Sequence, residues 1–306
     1  MEYIKETTDF KIDYNTAITL GKFDGLHKGH ELLIENLIRI SNEKNFKSVA
    51  FTFDIPPVKL VNDSKTSNNK VITTNNEKHF IFEQTGLDYL IECPFKKEIM
   101  MMQPVDFIEW MVNSLNVKYF IVGEDFRFGY KRQGDFRTLK EYSKKYNYEV
   151  LVIKKIKDNQ RDISSTYIRE EILAGNIEKA NALLGYEFFV KSKIVQGNKI
   201  GRTIGIPTIN MILPENKILP PNGVYITAVN VDDKWYRGVT NVGKKPTISD
   251  NNPIGIETYI IDFCQDVYGK EVYISFLSHI REERKFASID ELKQQMTADI
   301  EIAKKW

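Results

Sequence analysis

Short apolar runs alternate with helical patterns through the first half of the chain. The runs are nearly continuous in apolar character, as strands buried on both faces are. They are Ala17–Leu20, Ser48–Phe53, Tyr89–Ile91, Tyr119–Val122 and Val150–Ile153. The helical patterns between them are Glu31–Ile40, Glu77–Gln84, Val105–Leu115 and Leu139–Tyr146. This alternation predicts an α/β domain with a parallel sheet covered by helices, which binds ligands at the carboxyl ends of its strands.

The pattern changes in the second half. Two short helices, Thr166–Leu173 and Ile177–Leu184, are predicted to end at Gly185. Strands at the spacing of a small antiparallel β-barrel follow: Val190–Val195, Tyr225–Val231, Trp235–Thr240, Glu257–Phe263 and Val272–Leu277. A terminal helix starts at Ser288, where Ser-Ile-Asp-Glu resembles a capping box. The predicted domains are 1–186 and 187–306, and Ser64–Asn69 is predicted to be a polar loop.

Composition narrows the range of partners. Of 306 residues, 42% are hydrophobic and 28% charged, which is typical of a soluble globular protein. The net charge of +1 lacks the basic surplus of proteins whose main partner is nucleic acid. The N-terminal residues lack the apolar core of a signal peptide, and no apolar run is long enough to span a bilayer. We therefore expect a cytoplasmic protein with no nucleic-acid or membrane partner and leave its oligomeric state open.

The two cysteines support the same location. Cys93 and Cys264 are far apart and have no metal-ligand spacing around them. Reduced, structural thiols of a cytoplasmic protein are the expected state.

A glycine- and histidine-containing segment, residues 21–30, follows the first predicted strand. Gly29 permits a close approach of backbone to phosphate, and a helix start favours anionic oxygens. His27 and His30 are three residues apart, so both rings can reach one ligand. Two capping or surface histidines on an ordinary turn are the alternative. The H-x-G-H pattern resembles the nucleotidyltransferase superfamily, which implies catalytic roles for this pair and ATP contacts from Gly21, Phe23, Asp24 and Gly29.

Hydroxyl residues cluster at a later helix start. Ser164, Ser165 and Thr166 can cap that helix or bind phosphate, and Arg169 can fork onto phosphate oxygens. Capping is the simpler interpretation of the hydroxyls alone. The superfamily's S-S-T-x-I-R element matches this segment and implies that all four residues bind the ATP triphosphate.

Aromatic residues interleave with Gly and Arg in the segment 123–135. A packed loop would explain this composition, and so would stacking on a flat ring beside a phosphate. The segment closely resembles the flavin-side loop of bacterial FAD synthetases, within the bifunctional riboflavin kinase/FAD synthetase family. The resemblance implies flavin contacts from Asp125, Phe126, Phe128 and Arg132.

A second glycine-rich segment covers residues 197–210 and has no Walker motif. A turn and a barrel strand would explain it. It also resembles the riboflavin kinase element G-R-x-L-G-F-P-T-A-N, which implies ATP contacts from Gly201 and Arg202 and Mg²⁺ ligation by Thr208 and Asn210. Thr208 and Asn210 are two positions apart on a strand, so they lie on the same face. Their side chains offer the oxygen ligands that Mg²⁺ prefers.

Further kinase elements follow in the family's order up to Phe286. An isolated carboxylate at Glu257 would ordinarily be a solvated edge charge. The resemblance implies instead that it accepts the proton of the ribityl hydroxyl. It also implies that Arg281 lies on a flap over the flavin.

This resemblance covers nearly the whole chain. It implies a Rossmann-like nucleotidyltransferase domain (1–186) and a six-stranded barrel with riboflavin kinase activity (187–306). ATP and Mg²⁺ would serve both reactions, with riboflavin, FMN and FAD as substrates or products. Neither reaction needs a covalent enzyme intermediate, so positioning and charge stabilisation would carry catalysis.

Three departures from the family pattern leave alternatives open. Where the family has F-D-P-H-P, this chain has Ile55, Pro56 and Pro57 and lacks the histidine. The P-T-A-N element has Ile209 in place of its alanine, and the E-T-H element has Tyr259 in place of its histidine. One activity could be reduced, which leaves a single-activity FMN adenylyltransferase or a non-catalytic flavin sensor as alternatives.

Overall fold

The computed structural model describes residues 1–54, 70–197, 200–203, 205–244 and 254–306. The departure at Ile55–Pro57 and the predicted loop Ser64–Asn69 lie outside these ranges. Two compact units divide the chain: Met1–Asn69 with Thr73–Ser164, and Lys70–Ile72 with Ser165–Trp306.

A six-stranded parallel sheet forms the centre of the first unit, with strand order β1-β4-β3-β2-β5-β8. The strands are β1 (Glu2–Lys5), β2 (Thr16–Leu20), β3 (Lys47–Phe53), β4 (Tyr89–Cys93), β5 (Val117–Gly123), β6 (Arg127–Phe128), β7 (Gly134–Asp135), β8 (Glu149–Ile153), β9 (Lys157–Asp158) and β10 (Arg161–Asp162). The pairs β6–β7 and β9–β10 are small separate hairpins. The predicted parallel sheet is confirmed, with the unpredicted edge strand β1 added.

Helices cover both faces of this sheet. They are α1 (Lys28–Lys44), α2 (Asn75–Glu83), α3 (Lys97–Met100), α4 (Pro104–Leu115) and α5 (Phe136–Tyr146). Adjacent residues of one strand enter different cores: Ile18 packs with α4, whereas Ala17 packs with α1. This alternation explains why the strands read as continuous apolar runs.

A closed antiparallel barrel forms the centre of the second unit, with strand order β11-β12-β15-β14-β13-β16. The strands are β11 (Phe189–Val195), β12 (Thr208–Ile212), β13 (Gly223–Val231), β14 (Lys234–Lys244), β15 (Ile254–Ile260) and β16 (Glu271–Glu282). The helices are α6 (Ser165–Leu173), α7 (Ile177–Leu184), α8 (Ile200–Thr203) and α9 (Ile289–Lys305). The predicted barrel with a terminal helix is confirmed.

Several barrel strands begin or end at other residues than the sequence predicts, and two of these differences have a clear structural reason. β16 continues five residues beyond Leu277 because β13 pairs with it as far as Glu282. β15 ends at Ile260, before the predicted end at Phe263. The chain turns there, since Asp262 has a left-handed φ of 56°.

The capping predictions are confirmed in part. Gly185 ends α7 in the left-handed conformation, and Ser288 Oγ accepts from the Glu291 amide at the start of α9. The Glu291 carboxylate accepts from the Ala287 amide rather than from Ser288, so the reciprocal bond of a capping box is shifted by one residue.

Both cysteines are free thiols, with Cys93 buried and Cys264 exposed. Among the described residues, no helix is long and apolar enough to cross a bilayer.

Candidate active sites

The loop between β2 and α1 holds the first predicted site in a constrained conformation. Phe23 and Leu26 have φ of 47° and 34°, a region that side chains other than glycine rarely adopt, although both are buried. Thr73 anchors the turn, since its hydroxyl accepts from the Gly25 amide at 3.0 Å and its amide donates to Asp24 at 3.1 Å. The surrounding structure therefore holds the loop in place before any ligand binds.

The predicted histidine pair does lie together. The rings of His27 and His30 stack with centroids 3.9 Å apart and planes at 26°. His27 caps α1, with Nδ1 accepting from the Gly29 amide at 3.2 Å, so its proton is on Nε2 when the ring is neutral. Within the described structure, the buried Nδ1 of His30 has no hydrogen-bond partner.

Both imidazoles are neutral at pH 7. Burial lowers the pKa of His27 to about 4, against the opposing charges of Asp24 and Asp125. Burial also lowers the pKa of His30 well below 6.5, and the charges of His27 and Lys78 lower it further. The pair can therefore donate hydrogen bonds to an anionic ligand without carrying a charge.

Lys78 belongs to this site, although no sequence pattern singled it out. It lies on α2 with only 1% of its surface exposed, and its ammonium donates to Thr52 Oγ1 at 3.4 Å. Burial lowers the pKa of Lys78, while Glu92, Asp24 and Asp54 act in the opposite direction. A lysine inside an amphipathic helix ordinarily predicts a solvated position, so only tertiary packing reveals this one.

The predicted flavin-side loop follows β5 in the same unit. Asp125 is exposed and forms an ion pair with Lys155 at 3.1 Å. Phe126 stacks on Phe128 with centroids 5.4 Å apart. Phe128 itself is buried in the core, so its ring supports Phe126 from below. Arg132 is exposed at the end of the loop.

The predicted phosphate-binding hydroxyls do begin a helix, α6, and the two units divide them. Ser164 is the last residue of the first unit, whereas Ser165, Thr166 and Arg169 belong to the second. Arg169 Nε donates to the Lys70 carbonyl at 3.1 Å, within the second unit.

Strand register assembles the second predicted site on the barrel. β12 pairs with β15 so that Asn210 lies opposite Glu257, and β14 places Asn241 on the other side of Glu257. The Thr208 hydroxyl donates a hydrogen bond to the Glu257 carboxylate. Asn210 is buried, and a side chain at Gly197 would overlap its amide. A hydroxyl, an amide and a carboxylate thus converge at one point.

Two cavities meet at Thr208. One, of about 340 Å³, is lined by Arg202, Ile209 and Tyr268 among others, and Arg202 donates to the Tyr268 hydroxyl at 3.1 Å. The other, of about 260 Å³, is lined by Gly201, Glu257 and Arg281, with Tyr259 among the remaining residues. Ile209 and Tyr259, both departures from the family pattern, therefore face different cavities.

Arg281 lies in β16 and not on a flap, so that expectation was wrong. The strand extends through it because Val224 of β13 pairs with it. Its guanidinium donates to both carboxylate oxygens of Asp299 at 2.8–3.1 Å. Asp299 of α9 is 1% exposed and also accepts from Gln295. Sequence analysis missed Asp299, which holds Arg281 at the cavity wall.

Comparisons with known proteins match two family models to successive parts of the chain. The family model for FAD synthetase matches residues 9–167, and the model for riboflavin kinase matches residues 184–306. The chain belongs to the bifunctional riboflavin kinase/FMN adenylyltransferase family. The family prediction made from the sequence is confirmed.

Curated members of the family match over most of their length. The Bacillus subtilis protein is 35% identical over 93% of this chain and 90% of its own. The Buchnera aphidicola protein (subspecies Acyrthosiphon pisum) is 34% identical, covering 97% and 95%. The Escherichia coli K12 protein is 32% identical, covering 92% and 90%. All three are bifunctional riboflavin kinase/FMN adenylyltransferases.

A solved structure resembles the whole chain. A Streptococcus pneumoniae protein described as a macrolide-efflux protein is 30% identical, with a TM-score of 0.88 and 99% of each chain covered. This chain therefore shares its fold with that protein along nearly its full length.

The loop after β5 has a glycine that no other residue can replace without strain. Gly129 has φ of 70°, and a Cβ there would lie 2.9 Å from Pro104. We expect Gly129→Ala to lower the free energy of unfolding by about 1–3 kcal/mol more than Gly86→Ala does. Gly86 is the matched control because its φ is 81° but nothing lies within 4 Å. If urea denaturation gave the same loss of unfolding free energy for both variants, the loop would be able to shift without strain and the expectation would be wrong.

The neutral histidine pair predicts a pH dependence of stability. The unfolded chain takes up protons on these rings below pH 6.5, whereas folded His27 does so only near pH 4. The free energy of unfolding should therefore fall as the pH drops from 6.5 to 4, by up to about 1.4 kcal/mol per pH unit for each histidine. Urea denaturation of His27→Gln should give a shallower slope than wild type, and parallel slopes would contradict the expectation.

Proposed function

We propose that this chain phosphorylates riboflavin to FMN and then adenylylates FMN to FAD, using one ATP in each reaction. The functional domains are 187–306 for the kinase and 1–186 for the adenylyltransferase. In the first reaction the 5′-hydroxyl of riboflavin attacks the γ-phosphorus of ATP. In the second a phosphate oxygen of FMN attacks the α-phosphorus of another ATP. Small molecules are its partners, and a cytoplasmic location is part of the proposal.

The observation that carries the kinase assignment is the Thr208–Glu257 contact where two cavities meet. Phosphoryl transfer needs a hydroxyl and a phosphate held in line, so two binding spaces must share one reactive point. A carboxylate at that point can accept the hydroxyl proton as its oxygen attacks. Glu257 is thus the base, riboflavin occupies the cavity with Arg281, and ATP occupies the cavity with Arg202.

The donors beside Glu257 suit Mg²⁺. Thr208 supplies a hydroxyl oxygen, and the Asn210 side chain makes no hydrogen bond within the described part of the chain, so its carbonyl oxygen is available. Mg²⁺ favours coordination by a small number of protein oxygens together with the phosphates of the substrate. When bound, Mg²⁺ would neutralise phosphate charge, while Glu257 handles the proton.

The adenylyltransferase assignment rests on the neutral, stacked His27 and His30 at the start of α1. Their N–H groups and their position at the helix start support a phosphate-binding role, since a helix N-terminus favours anions. Gly21, Phe23 and Asp24 form the rigid loop behind them. By family resemblance, Ser164, Ser165, Thr166 and Arg169 bind the triphosphate. Asp125, Phe126, Phe128 and Arg132 are assigned in the same way to the flavin side.

Two separate assays test this function. Purified protein is given riboflavin with Mg·ATP in one and FMN with Mg·ATP in the other, and products are separated by chromatography. We expect FMN from the first and FAD from the second. FAD formation without riboflavin phosphorylation would identify a single-activity adenylyltransferase. Flavin binding without either product would identify a flavin sensor.

Removing the His30 ring should separate the two activities. We expect His30→Ala to reduce FAD formation from FMN roughly a hundred- to a thousandfold, because a preorganised phosphate donor is lost. Its riboflavin kinase rate should stay near wild type, since the kinase ligands lie in the other unit. A folded variant with unchanged FAD synthesis would refute the assignment of the histidine pair.

Glu257→Gln is the reciprocal test. The amide keeps the shape of the side chain but cannot accept a proton, so riboflavin kinase turnover should fall about a hundred- to ten-thousandfold. Affinities for riboflavin and ATP should change far less, and FAD formation from supplied FMN should persist. Kinase turnover within a few-fold of wild type would mean that Glu257 is only a partner of Thr208.

A further inference from the structure

The ammonium of Lys78 is buried in the first unit with few compensating contacts. Its side chain is 1% exposed, and within the described residues its nitrogen makes one hydrogen bond, to Thr52 Oγ1 at 3.4 Å. No carboxylate of the described chain lies within 4 Å of it. An ammonium has three donor protons, and leaving them unmatched away from water is costly. Such a group is kept where a ligand completes its contacts.

Lys78 lies directly beside the loop that carries the histidine pair. Thr52 Oγ1 is 3.4 Å from the lysine nitrogen and 3.4 Å from the carbonyl oxygen of Lys22, within the loop. One turn further along α2, Phe82 packs edge-on against Phe23 with centroids 5.4 Å apart. The Phe23 ring in turn packs against the His30 ring, with centroids 5.2 Å apart. The helix, the loop and the histidine ring therefore pack together beside the lysine.

The need to balance the charge of nearby carboxylates does not by itself explain why Lys78 is buried. Glu92 accepts from the Tyr3 hydroxyl at 3.0 Å and from Asn75 at 2.8 Å. Asp54 accepts from the Phe95 amide at 2.8 Å, and Asp24 from the Thr73 amide. Each carboxylate has a donor of its own, so none depends on contact with the ammonium. Their charges raise the pKa of Lys78 and so offset part of the larger lowering by burial, while its nitrogen makes no hydrogen bond among the described residues other than that to Thr52.

We infer that Lys78 is a further catalytic residue of adenylyl transfer, whose ammonium contacts the phosphate oxygens of ATP that leave as pyrophosphate. The inference rests on the proposed function of this unit. As a phosphate oxygen of FMN bonds to the α-phosphorus, the bond from that phosphorus to the bridging oxygen breaks. The electron pair remains on pyrophosphate, where negative charge grows. A preorganised cation in a dry site stabilises that charge more than it would in water.

Lys78→Met tests the inference, because it removes the charge and keeps most of the side-chain volume. We expect kcat/KM for ATP in FAD synthesis to fall roughly a hundred- to a thousandfold, with the KM for FMN within a few-fold of wild type. The thermal midpoint should stay the same or rise, since a buried and weakly paired charge is lost. Pyrophosphate should raise the midpoint of wild type but not of the variant. Lys44→Met, an exposed change at the far end of α1, is the control and should match wild type.

Each other outcome counts against the inference. Activity within a few-fold of wild type overturns it, and so does a rise confined to the KM for FMN. Lost activity with a lowered midpoint and retained pyrophosphate stabilisation shows a structural role. If the Met variant does not fold, Lys78→Gln, which keeps a polar group for Thr52, is judged by the same results. Wild type that forms no FAD refutes the proposed function, and the inference with it, whereas an unaffected variant refutes the inference alone.

Discussion

Strand register is the constraint on which both sites depend. In the barrel, Glu257 lies between Asn210 and Asn241 because β15 pairs with β12 on one side and β14 on the other. A slip of one residue would turn Glu257 to the opposite face and separate it from Thr208. Closure of the barrel excludes such a slip, since each strand is paired on both edges. In the first unit, parallel pairing brings the carboxyl ends of β2, β3 and β5 to one edge of the sheet.

The first site concentrates features that oppose stability. Phe23 and Leu26 have strained backbone angles, the buried Nδ1 of His30 has no partner among the described residues, and Lys78 is a buried lysine. Such features persist where the surrounding structure over-determines them and where a ligand makes use of them. Here the surrounding structure is the Thr73 anchor and the aromatic contacts of Phe23. The site is therefore organised before substrate binds, as catalysis by positioning requires.

Much of the fold could be predicted because it follows from local patterns. Hydrophobic period and turn residues predicted the parallel sheet, the barrel, the helix end at Gly185 and the helix start at Ser288. The His27–His30 contact could also be predicted locally, because two residues that are three positions apart at a helix start lie on the same side. The edge strand β1 was missed because four half-exposed residues carry no apolar period. Lys78 and Asp299 were missed because a buried charge on an amphipathic helix looks like a solvated one until its neighbours are known.

Non-local pairing explains why Arg281 was misplaced. Resemblance alone put it on a flap, but its position depends on β13, whose pairing extends β16 to Glu282. This strand extension has a consequence for α9. Asp299 of that helix binds Arg281, and Leu292, Met296 and Ile300 line the same cavity as Glu257. The terminal helix thus forms one wall of the cavity beside Glu257 and holds the Arg281 guanidinium in place at that wall. The six strands alone would leave that wall open, so the barrel needs α9 to complete the cavity.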